Sequence, residues 1–225
     1  MSVKRTAPIS AIAFVVLFIA SIAISSVPSA TASDADWVAA YASHGKQVGH
    51  FATGILLVLA ALSLVTFLTD LWTRVVAARQ PRSVSPLPVV AAGISAACIA
   101  AGGVLMASIS ASALIGSAPI PRAEVLRFGN DVGFGMVGVA GMLAASLSIA
   151  CLSLQARSAG VFSPRLTKFS LVVAVLLLGS VAFVPILALL IWLIVVTVAL
   201  RRSSTARGPA NGGRVEANQP VEIRV

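Results

Sequence analysis

Residues 87–118 read LPVVAAGISAACIAAGGVLMASISASALIGSA, 32 positions without one charged side chain. About 20 apolar helical residues cross the hydrocarbon core of a bilayer, so this stretch is long enough to span one. Gly103, Ala107 and Ala111 recur every four residues and fall in one row along a helix. Such rows let helix backbones approach closely in lipid, where packing rather than hydrophobicity drives association. Ser108, Ser110, Ser112, Gly116 and Ser117 crowd the far end. The hydrocarbon-spanning part is therefore about the first 25 residues, with the serine-rich end in the interface.

The rest of the chain follows the same pattern. Of 225 residues 58% are apolar and 10% charged, and mean hydropathy is +1.01. A soluble domain carries about a quarter charged residues. A soluble enzyme, a disulfide-rich secreted module and a disordered chain are excluded. The fold class is an all-α, polytopic transmembrane helical bundle. The net charge of +9 does not indicate nucleic-acid binding. Its Lys and Arg flank apolar blocks, as topology signals do, and no basic run is interleaved with aromatics.

Block one, Ile9 to Val27, follows Lys4 and Arg5. It reads as a retained span, because a signal-peptide core is usually shorter; cleavage at Ala30-Thr31-Ala32 is the alternative. In the polar connection 28–49, Ser33 and Asp36 resemble a capping box with Asp in place of Glu or Gln. The short helix it opens sets Trp37 and Tyr41 on one face, expected at the headgroup level. His44 and His50, with Asp34 and Asp36, are ordinary metal-ligand types. Their spacing of six suits neither a helix face nor a strand face, and no metal is expected.

Block two, Phe51 to Trp72, closes on Asp70 and Arg74, four residues apart at the membrane edge. Block four runs from Gly129 to Leu154. Gly129 and Gly133 form a GxxxG pair joined by Gly135, Gly138 and Gly141, expected to pack on block three. Asp131 reads as a first-turn residue facing the positive helix dipole, with Arg127 four residues before it and Asn130 as a cap. A structural role is expected, although acids within membrane helices also serve proton relays and ion sites. Cys98 and Cys151 sit in apolar stretches at depths of about 16 Å and 5 Å by helical rise, too different for a disulfide.

The last block, 169–200, is followed by a polar tail at 203–225 that reads as disordered. Crossing twice, it places thirteen Lys and Arg inside and three outside; crossing once, it leaves eight on each side. The positive-inside rule selects a hairpin with its turn near Gly179–Pro185 and both termini cytoplasmic. Six spans result, at about 9–27, 51–72, 88–113, 130–154, 166–181 and 186–201.

His44 before the second span, the basic loop after it, and Gly160-Val161-Phe162-Ser163-Pro164-Arg165 before a paired apolar region carry a resemblance. With these features the chain resembles a family of uncharacterised bacterial multi-span membrane proteins, classed as a domain of unknown function. Leu166 stands where that family often has Trp nearby. The resemblance implies a six-helix bundle in a bacterial plasma membrane, without an assigned activity.

Three functions remain to be weighed. The first is a non-enzymatic bundle acting through packing or a partner. The second is a small-solute or proton-coupled transporter or permease component using Asp131 and the glycine-rich block. The third is a membrane enzyme, disfavoured because no Ser/His/Asp set, HExxH or paired intramembrane Asp is present. No cofactor is expected; the partner is the lipid bilayer, with a protein partner or homo-oligomer left open.

Overall fold

The computed structural model of the chain describes residues 6–25, 27–29, 31–79, 84–179 and 184–206. The described residues are all-helical. In chain order they form α1 (Thr6–Ile24), α2 (Asp34–Tyr41), α3 (His44–Ala78), α4 (Leu87–Gly116), α5 (Ala123–Gly135), a π-helical segment (Met136–Gly141), α6 (Met142–Ser158), α7 (Pro164–Leu177) and α8 (Val184–Ala206). Among the described residues, four helices are long and apolar enough to cross a membrane: α3, α4, the continuous rod Ala123–Ser158, and Pro185–Arg202 within α8. Pro8–Ile24 of α1 is a shorter apolar helix.

Each long helix is apolar all round, and one stripe of it is buried. On α3, Leu57, Ala60, Ala61, Leu64, Phe67, Leu68, Leu71 and Val75 are buried while Ile55, Leu59 and Leu62 face outward. A helix apolar on every face needs an apolar solvent around its bundle. On α1, Ala11, Phe14, Phe18 and Ser21 turn inward at helical spacing, and the two phenyl rings stack at 5.4 Å. α1 packs on α3 and α8, so block one belongs to the core rather than lying apart from it.

Polar side chains bind neighbouring helices in antiparallel order. Trp72 Nε1 and Gln155 Nε2 both donate to the Ser85 carbonyl, at 3.2 and 3.3 Å. Ser148 Oγ donates to the Pro88 carbonyl at 2.7 Å. Ser146 Oγ donates to the Ala174 carbonyl at 2.6 Å, and Trp192 Nε1 to Ser170 Oγ at 2.8 Å. Serine bonds of this kind tie helices together where water is absent. The Ser170–Trp192 bond joins α7 to α8. At 14 residues α7 is not among the helices long enough to cross a membrane, so the expected crossing at 166–181 is not matched. Among the described residues, four candidate spans stand where six were expected. Leu178 and Gly179 begin the turn after α7, and residues 180–183 lie outside the described residues.

The stretch 160–165 has a structural explanation. Gly160 takes φ of +70°, the left-handed conformation glycine adopts without strain. The Gly160 amide donates to the Arg157 carbonyl at 3.1 Å, and the Val161 amide to the Ala156 carbonyl at 2.9 Å. This is a Schellman stop for α6. Phe162 is buried, Ser163 caps α7 by accepting from the Leu166 amide, and Pro164 fills its first turn.

The helices overrun the apolar blocks that announce them. α3 begins at His44 rather than Phe51, and the fourth rod begins at Ala123 rather than Gly129. Hydropathy marks the part of a helix that sits in hydrocarbon, whereas the backbone ladder continues wherever a cap starts it. Ser43 accepts from the Lys46 amide at the start of α3. α1 stops at Ile24, three residues short of Val27. Helix α8 continues to Ala206, into the segment expected to be disordered; residues 207–225 lie outside the described residues.

Candidate functional site

At one end of the bundle the short helix α2 lies over the mouth between α1, α3 and α5. It starts as expected: the Ser33 side chain accepts from the Asp36 amide at 3.2 Å, and the Asp36 carboxylate accepts from the Ser33 amide at 3.1 Å. The Ser33 hydroxyl, which donates to the Asp36 carboxylate at 2.7 Å, and then the Ser33 amide hold the Asp36 carboxyl below its usual value. The aromatic face of α2 does not go to the headgroups. Trp37 and Tyr41 are buried with Ala123 and Leu126 of α5. The expectation fails because α5 extends beyond the apolar block and offers a protein surface at that level.

Arg127 anchors this cap. Its guanidinium pairs with Asp34 at 2.6 Å, donates to the Ala32 carbonyl at 2.8 Å, and lies 5.9 Å from the Trp37 ring centroid. The expected pairing of Arg127 with Asp131 is not made. Asp131 is the ninth residue of α5 and not in its first turn, so it is beyond the reach of the N-terminal dipole. Arg122, and not Asn130, occupies the cap position. On α3, His50 is buried and stacks on Tyr41 at 4.3 Å, with Nε2 3.3 Å from the Ala40 carbonyl. Burial pushes the Tyr41 phenol above its usual pKa. Gln47 Nε2 donates to the Tyr41 carbonyl and Lys46 Nζ to the Ala39 carbonyl, both at 2.9 Å. His44 is exposed at the start of α3. Among the described residues no three His, Cys, Asp or Glu side chains converge as a metal group.

Beneath α2 is a cavity of about 480 Å³. Trp37, Val27 and Pro28 roof it; Phe18, Ser21 and Ile22 of α1, with Ser25 just beyond its end, form one wall. Thr53 and Leu57 of α3 and Met106 of α4 form its back. Asn130, Asp131 and Phe134 of α5, with Val137 and Gly138 of the π-helical segment, form the opposite wall. The volume is in the range of small-molecule sites, and an apolar lining with a few polar groups is typical of them. Ser21 Oγ donates to the Phe18 carbonyl at 2.7 Å and Thr53 Oγ1 to the Gly49 carbonyl at 3.0 Å. The Trp37 indole nitrogen is buried without a partner among the described residues.

Of the glycines expected to pack helices, Gly103, Gly129, Gly133 and Gly141 do so, alongside others that sequence reasoning missed. A Cβ on Gly135 or Gly138, by contrast, would meet nothing beyond its own rod among the described residues. A Cβ on Gly103 would lie 2.8 Å from the Leu57 Cβ, and one on Gly102 would lie 2.6 Å from the Gly133 carbonyl oxygen. Gly133 abuts Met106 and the Gly102 backbone, and Gly129 faces Ile109. Gly54, a lone glycine in block two, meets Gly103 and Ala107 across the α3–α4 seam. Gly102 and Gly54 carried no repeat that marks them. Ala111 is half-buried, and Asp70 is half-buried on α3 toward the opposite end of the bundle, away from the cavity. Cys98 and Cys151 are free and half-buried.

The chain matches no family model, no curated relative and no solved structure.

Proposed function

We propose that this chain is a six-span integral membrane protein of a bacterial plasma membrane that holds a small amphiphilic ligand in the cavity under α2, without catalysing a reaction. The cavity is the observation that carries the reading. Two of its three hydroxyls, those of Ser21 and Thr53, are turned to backbone carbonyls, and its lone carboxylate has no nucleophile paired with it, so the lining suits binding rather than bond breaking. Helix length supports a position for the site. The rods α3 and Ala123–Ser158 hold 35 and 36 residues, about 52–54 Å at helical rise against a hydrocarbon core of about 30 Å. With the basic ends anchored at the inner face, the surplus projects on the α2 side. The cavity then straddles the outer boundary of the hydrocarbon, where an amphiphile is at home.

The orientation follows from the Lys and Arg count, with α2 outside and both termini cytoplasmic. A fluorescent protein fused after Val225 is expected to be active; alkaline phosphatase activity at the same site would refute six spans. The binding test is a filling mutation. Saturable quenching of Trp37 fluorescence by bromoalkyl compounds is expected in the full chain and absent from a folded Gly138→Phe variant. A second reading, a proton-coupled transporter, is favoured by the position of Asp131 on the cavity wall beside a π-helical segment, since such segments recur at functional sites. Proton or solute flux in proteoliposomes that is abolished by Asp131→Asn would select it.

A further inference from the structure

We infer that the ligand of this cavity is an amphiphile with a cationic ammonium head, held by Asp131; the inference rests on the cavity being a binding site. Asp131 lines the cavity and has no ion pair or hydrogen bond among the described residues. The cations that could neutralise it from this end are committed elsewhere or lie off the lining. Arg127 is taken by Asp34 and the Ala32 carbonyl, Lys46 donates to the Ala39 carbonyl, and Arg122 is exposed outside the cavity. The described lining holds no Lys, Arg or His, so no cationic side chain in it pairs with a phosphate or carboxylate. Beside Asp131, Asn130 has an amide without a protein partner among the described residues. Phe18, Trp37 and Phe134 bring three aromatic rings to the same space. The Trp37 ring is held by Arg127 and Phe18 stacks on Phe14, so the partly exposed Phe134 ring, three residues from Asp131, is the one that supplements the carboxylate. A carboxylate beside a partly exposed ring is chemistry that recognises alkylammonium groups, through charge and through the ring quadrupole. The remaining wall, including Ile22, Leu57, Met106 and Val137, is apolar and accommodates the body of the ligand.

The test uses the full chain in uncharged maltoside micelles and three bromoalkyl probes of equal chain length, with trimethylammonium, hydroxyl and sulfate heads. Binding is read as saturable tryptophan quenching that disappears in Trp37→Phe. The ammonium probe is expected to bind on the order of tenfold more tightly than the alcohol, as a charge-assisted contact requires, and the sulfate most weakly. Asp131→Asn is expected to abolish that preference while leaving the alcohol's affinity unchanged. Equal affinity of ammonium and alcohol, or a preference that survives Asp131→Asn, overturns the inference and leaves the cavity reading standing. Saturable quenching by none of the three overturns both. Two sources of the head group are separated in phosphatidylglycerol nanodiscs. Quenching by bromoacyl phosphatidylethanolamine in the bilayer assigns a membrane lipid, and quenching by the buffer-borne ammonium probe alone assigns a soluble cation.

Discussion

The seam that joins α4 to α3 and α5, and the cavity that separates α1 from α5, use the same helices at the same height. Gly54 and Thr53 are neighbours on α3, Gly133 and Phe134 on α5; Gly103 and Met106 lie within one turn of α4. On one side, glycines bring backbones so close that a Cβ on Gly102 would fall 2.6 Å from a carbonyl oxygen. On the other, Phe18, Leu57, Met106 and Phe134 hold the walls apart. Tight packing and an open site thus adjoin on the same rods, with Leu57 and Met106 touching both. Small residues close a gap only where two of them meet, and α1 brings no glycine to α5.

The largest expected effect comes from breaking the seam. Gly102→Val should destabilise the bundle by about 3 kcal/mol, because backbone rather than a flexible side chain must give way. Thermal unfolding in detergent reads it. The matched change on the cavity side, Gly138→Ala, should stay within about 0.5 kcal/mol of the parent. Its Cβ would meet only the Phe134 ring, at 3.5 Å. Equal losses at the two sites would remove the distinction between seam and cavity.

Loosening the roof should have an intermediate effect. Arg127→Ala removes a carbonyl bond, a cation–π contact and a partly exposed ion pair, together about 2 kcal/mol. Faster proteolysis between Ala32 and Tyr41 would locate that loss in α2. Asp131→Ala, which breaks no protein contact, should change stability by less than about 0.5 kcal/mol. A loss from Asp131→Ala as large as that from Arg127→Ala would return Asp131 to a structural role.

Acid provides a gentler probe of the same cap. Because Ser33 holds the folded Asp36 carboxyl below its ordinary value of 3.8, the capping box contributes fully above that pH. Its contribution is lost as pH falls through the lower folded value. Protease sensitivity of α2 should therefore rise on acidification below 3.8, and Asp36→Asn should lack that acid-dependent step.

Much of this was legible in the residues. Ser33 and Asp36 announced a capped helix because a side chain three residues from its cap has only one amide to reach. Gly129 and Gly133 announced close packing because an i, i+4 pair of glycines clears a groove on one helix face. Arg127 and Asp131 misled for the same kind of reason. Their spacing of four satisfies a helical pair, but a carboxylate on another element, Asp34, outcompetes it, and nothing local reports that. Trp37 and Tyr41 looked like headgroup anchors because amphipathic rings suit both an interface and a half-polar protein contact.

By itself, the sequence determined the elements and their apolar character. Uncharged blocks such as 87–118 must satisfy their backbone as helices in lipid, and Gly160, Ser163 and Pro164 set one boundary through local backbone geometry alone. Tertiary structure decided what stands opposite what. That α2 roofs a cavity, that Arg127 turns to Asp34, and that Gly54 and Gly102 lie on seams all depend on residues distant in the chain. Contacts between helices are fixed by the fit of whole surfaces, and a fit of that kind leaves no periodic mark in any one segment.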